Sequence, residues 1–133
     1  MIATTVRYRD AEFIAYDLVI EVWMLEVARQ IDADAVLAPW PDEIRKEWRI
    51  QATSGFGFGP SPALDKFVDS QQRREQLACY FRKALQSLTQ LGSVLSPAEL
   101  ARSGVGGNQA IYTRGLPTPL VIEVGEQFLA LIS

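Results

Sequence analysis

Residues 70–91 form an unbroken run of 22 positions without glycine or proline. Their apolar members recur at helical spacing. Leu77, Tyr80, Phe81, Ala84, Leu85, Leu88 and Leu91 fall within one arc, while Arg82, Lys83, Gln86 and Gln90 face away. Asp69 is the expected N-cap and Gly92 the expected stop. A one-sided helix of about six turns must be covered along its length, so the rest of the chain has to supply packing partners of similar kind.

The spacing predicts a second long helix over Asp10 to Ile31. Asp10 would cap it, and Glu12 suits its first turn. Phe13, Tyr16, Ile20, Trp23, Met24, Val27 and Ile31 make one stripe; Ile14, Leu18, Val22 and Leu25 make another. Two stripes place this helix at the domain centre or give it a partner on its second side. Further helices are expected from Pro41 to about Thr53, after a Ser61 cap with Pro62 at the first position, and after the Ser96-Pro97-Ala98-Glu99 capping box, which Gly104 ends. Leu120 to Ile132 also has helical spacing, although Leu120–Val124 and the first seven residues would pair equally well as short strands. The expected fold is a mainly α, compact single domain over 1–133, a bundle of five or six helices with room for a minor pair of strands. Trp23, Phe81, Leu85 and Leu88 are its expected core.

Composition narrows the chemistry. The 133 residues contain no histidine and one cysteine. This excludes a histidine general base, any histidine-ligated metal and an intrachain disulfide. Gly55-Phe56-Gly57-Phe58-Gly59 lacks the lysine and hydroxyl of a phosphate loop, and it follows a helix rather than a strand. Asp17 and Glu21 stand four apart, a spacing suited to an acid–base pair, but no Glu-x-x-His partner helix accompanies them. Cys79 lies with Arg82 and Lys83 without a general base. No catalytic residue, cofactor or metal site is therefore assigned. The N-terminus lacks the apolar run of a signal peptide, and no stretch is long enough to span a membrane. The expected location is the cytoplasm.

Charge is unevenly spread. The formal net charge is -3, yet residues 10–34 carry seven acidic side chains against Arg29 alone. Nucleic acid and membrane are not expected partners of such a chain. An acidic field steers a basic protein, and aromatic residues anchor it. The expected partner surface comprises Glu12, Asp17, Glu21, Glu26, Trp40, Phe56 and Phe58. In size, acidic balance and helical make-up the chain resembles toxin-immunity proteins as a broad class. That resemblance implies an inhibitor that occupies the active site of a cationic toxin or enzyme. Two other classes fit the residues. One is a small histidine-free enzyme or ligand-binding domain using Asp17 and Glu21, with Tyr8, Tyr16, Arg45 and Arg49 around it. The other is a structural homodimer joined through the second stripe of the first helix.

Overall fold

A computed structural model describes residues 2–34, 39–54, 59–107 and 112–133. Among these residues it is a mainly helical bundle of six helices with two small antiparallel strand pairs. Strands β1 (Ala3–Tyr8) and β2 (Ala11–Tyr16) pair first. Helices α1 (Asp17–Asp32), α2 (Pro39–Thr53), α3 (Leu64–Phe67) and α4 (Gln71–Gln90) follow. Strand β3 (Val94–Leu95), α5 (Pro97–Ser103), β4 (Leu116–Pro117) and α6 (Thr118–Ile132) complete the chain, with β3 paired to β4.

The expected helix over Asp10 to Ile31 is corrected at its start. Asp10 lies in a two-residue turn with Arg9, and residues 11–16 form a strand paired Tyr8↔Ala11 through Ala3↔Tyr16. Alternation decides it. Val6 and Tyr8 are buried, and Phe13 and Ala15 pack on the core, whereas Thr5, Arg7, Glu12, Ile14 and Tyr16 are exposed. That is the period of a half-buried strand. The first residues thus pair with 11–16, and Leu120–Val124 belongs to α6 instead. The helix proper begins at Asp17 and is buried on nearly every side, including Val22 and Leu25 of the second stripe. It is the central helix of this chain; of the second stripe Val22 and Leu25 are buried, Leu18 is partly buried and Ile14 is exposed.

Other helix starts also differ: α2 opens at Pro39 rather than Pro41, and α6 at Thr118 rather than Leu120. Ser70, not Asp69, caps α4, its hydroxyl accepting from the Arg73 N–H at 3.2 Å. Asp69 instead pairs with the Arg73 guanidinium at 3.4 Å. Ser61 caps nothing, because the Trp48 indole donates to the Pro62 carbonyl at 2.8 Å and α3 starts only after Ala63. The Ser96–Glu99 capping box forms as expected, and Gly104 ends α5 at φ +79°.

The core is a stack of rings. Phe128 of α6 lies 5.3 Å from Phe13, 5.9 Å from Trp48, 5.9 Å from Phe81 and 6.1 Å from Trp23, centroid to centroid. Trp23, Phe81 and Leu88 are fully buried as expected, with Ile44, Trp48 and Ala52 of α2 beside them. Leu85 is only half-buried, one residue around the α4 cylinder from the buried Ala84. Among the described residues no helix is long and apolar enough to cross a membrane.

Candidate functional site

The acidic residues expected to form one surface are dispersed and mostly engaged. Glu12, on the outer face of β2, is paired with Arg7 at 2.7 Å. Glu26 is buried, accepting from the Gln30 amide at 3.1 Å and from Arg29 at 3.3 Å. Asp32 binds both Arg45, at 2.9 Å, and Arg49; Asp34 accepts from Tyr80 and lies 3.9 Å from Lys83. The continuous negative field expected along residues 10–34 is thereby largely neutralised within the chain. Trp40 is not a presented anchor. It is buried, its indole N–H donates to Gln76 at 2.7 Å, and the Arg73 guanidinium lies 5.4 Å from its ring. Phe56 and Phe58, the other two expected anchors, lie outside the described residues.

Asp17 and Glu21 do come together, one turn apart at the start of α1. The strand-to-helix junction positions them: the Asp17 N–H donates to the Ile2 carbonyl at 2.9 Å, and the Thr4 hydroxyl donates to Asp17 Oδ1 at 2.5 Å. Gly59 approaches the same Thr4 so closely that a Cβ there would stand 2.0 Å from its Oγ1. The Gly106 N–H donates to Ala52 at the end of α2 at 2.9 Å, and Tyr112 donates its hydroxyl proton to the Val105 carbonyl. Burial first, then the Asp17 charge, pushes the Glu21 carboxyl up to about 7. The Tyr112 hydroxyl is raised by burial and by the Glu21 charge. The cluster is two carboxylates and a phenol, with one carboxyl able to exchange a proton near neutrality. Among the described residues no group of three His, Cys, Asp or Glu side chains is placed to hold a metal ion.

A raised carboxyl pKa favours the protonated form in the fold. The native state therefore carries a cost from Glu21 that is absent below about 4.5, grows as pH rises, and is complete above about 7. Glu21→Gln removes it. The variant is expected to gain about 1 kcal/mol on wild type at pH 8, after allowance for solvent screening of a half-exposed group, and nothing at pH 4. Urea melts at both pH values measure this; an equal difference at each would show that Glu21 does not titrate there.

A second surface escaped the sequence reading. The outer hairpin face exposes Ile14 by 69% and Tyr16 by 51%, and Leu120 of α6 is 42% exposed. These three line one cleft of about 480 Å³, together with Val19, Glu123 and Gln127. The signal was present: with strand periodicity, Ile14 and Tyr16 fall on the same side as Arg7 and Glu12, which is the wet side. Assigning a helix to 11–16 put them in core stripes. No protein-family model, curated protein or solved structure matches this chain.

Proposed function

We propose that the protein is a binding module that docks on a basic surface of another protein and blocks it by occupation, as an immunity-like inhibitor does. The observation that carries this reading is the exposed apolar group Ile14, Tyr16 and Leu120 around one cleft, with the acidic Glu123 on its rim. Contiguous exposed apolar surface of this kind costs solubility and is a mark of interaction sites. Among the described residues Glu123 and its neighbour Glu126 make no ion pair, so they are free to meet cations. On this reading the contact is made by the hairpin and α6.

Capture from the native lysate by wild type, set beside Ile14→Lys and Glu123→Lys, tests the reading. Both side chains point outward, so folding is expected to hold in each. Wild type should retain a stoichiometric basic protein. Ile14→Lys should raise its dissociation rate, and Glu123→Lys should lower its association rate about tenfold at low salt, with the difference shrinking at high salt. A partner retained equally by all three proteins would remove this surface from the reading.

A second reading rests on Glu21. A carboxyl pushed up to about 7, beside Asp17 and within the influence of Tyr112, suits general acid–base work on a small ligand. Turnover abolished by Glu21→Gln and untouched by Ile14→Lys would favour it over docking.

A further inference from the structure

The cleft lies where the hairpin meets α6. Three consecutive residues of β2, Ile14, Ala15 and Tyr16, line it, although Ala15 points to the opposite side of the sheet from its neighbours. Ala3, the β1 partner of Tyr16, lines it too, so the opening takes in the end of the hairpin and the side of β2 that faces α6. Among the described residues β2 has one strand neighbour, β1, and its other edge is unpaired.

The register says which backbone groups that edge offers. A two-residue turn closes the hairpin at Tyr8↔Ala11, and the Asp17 N–H donates to the Ile2 carbonyl at the far end of the same ladder. Hydrogen-bonded pairs alternate in an antiparallel ladder, so they fall at Tyr8–Ala11, Val6–Phe13 and Thr4–Ala15. Glu12, Ile14 and Tyr16 therefore turn their backbone groups away from β1. The Tyr16 carbonyl begins the α1 ladder, which leaves the N–H and C=O of Glu12 and Ile14 and the N–H of Tyr16. No backbone partner for these groups occurs among the described residues outside the hairpin and helices.

We propose that β2 accepts an extended segment of a basic protein as a third strand, laid in the cleft between β2 and α6. This rests on the docking reading above and specifies its mode. Main-chain bonds to Glu12, Ile14 and Tyr16 hold the segment, and alternate side chains go down against Val19 and Leu120. A cationic side chain meets Glu123 on the α6 flank. The same flank argues against a second copy of this chain. A second copy paired through the same surface would bring an α6 that carries Glu123 and Glu126 and no basic residue.

The probe is an amidated seven-residue peptide alternating valine and lysine, and a version N-methylated on alternate residues in each register. Each is titrated into isotope-labelled full-length protein, with hydrogen exchange read residue by residue. The expected result is binding, with exchange at the Ile14 and Tyr16 amides slowed at least about tenfold and the better-placed N-methyl peptide weaker by about tenfold. Ile14→Pro deletes the edge donor but no bond to β1, so it should bind about tenfold more weakly while keeping its helical circular dichroism. Glu123→Gln should weaken binding and flatten its salt dependence. Binding that leaves those amides unprotected would overturn strand addition and leave the docking reading standing. No binding at about 1 mM would overturn strand addition as well, while lysate capture sensitive to Ile14→Lys would still support docking. Protection that grows with protein concentration without peptide, accompanied by a doubled mass, would assign the edge to a second copy and overturn the proposal.

Discussion

Phe128→Ala is expected to be the most damaging single truncation in the protein, at the upper end of the range of about 3–5 kcal/mol for a buried aromatic residue. The ring is fully buried and touches four others, those of Phe13, Trp23, Trp48 and Phe81. Those rings come from β2, α1, α2 and α4, so one side chain ties α6 to four elements. Its removal loses both transfer energy and edge-to-face contacts, and helices meeting from several directions cannot all collapse into the gap. A domain of ordinary stability would lose a third or more of its total. Leu85→Ala, on the half-buried flank of α4, should cost well under half as much. Guanidinium melts of the two variants make the comparison. A loss below about 1 kcal/mol at Phe128 would mean that α6 is not the lid of the ring stack.

Gly125→Ala is expected to destabilise by about 2 kcal/mol, against the ordinary trend for a helix interior. Replacing glycine by alanine in a helix normally gains about 1 kcal/mol. Here the added Cβ would stand 2.5 Å from Cζ3 of Trp23 and 2.8 Å from its Cε3 and Cη2. The indole is fully buried and held by Phe81 at 5.4 Å on one side and Phe128 at 6.1 Å on another. It cannot swing away, so α6 must move off α1 and give up the ring stack. Overpacking of this kind costs about 1–3 kcal/mol before the helix-propensity gain is counted, and the shared cluster places Gly125 toward the severe end. The double variant Gly125→Ala with Trp23→Phe should recover part of the loss relative to additivity, because a smaller ring frees the space. Stabilisation by Gly125→Ala alone would show that α1 and α6 are not in contact at this point.

The edge of β2 and the Glu21 cluster bear on each other through the strand-to-helix junction. Tyr16 ends the exposed edge, and Asp17 begins the helix that carries Glu21. A third strand on β2 would end at this junction, next to Asp17 and its hydrogen bond from Thr4. Docking and the protonation of Glu21 are therefore expected to be measurable in the same experiment, by repeating the peptide titration at pH 6 and pH 8.

Local sequence determined the helices with strong punctuation. The 22-residue run, the Ser96–Glu99 box with Gly104, and the Ile44, Trp48 and Ala52 face of α2 all stand as local physics requires. The Ser96–Glu99 box acts within one turn and needs no distant partner, whereas the caps expected at Asp69 and Ser61 do not form. The absence of histidine likewise excluded, from composition alone, a histidine general base and histidine metal ligands in this chain. What local sequence left open was decided by tertiary contact. Residues 11–16 satisfy both a helical and an alternating pattern. Only pairing with β1, and Phe13 seated on Phe128, selects the strand. The same selection turned Ile14 and Tyr16 outward and created the surface on which the proposed function rests. Charge was least legible. Seven acids in 25 residues read as a field, but whether an acid faces solvent or an arginine depends on segments far away in the chain, as with Asp32 and Arg45 or Asp34 and Tyr80. A side chain's type is local; its partner is not, and an ion pair's field at a distance is set by the partner.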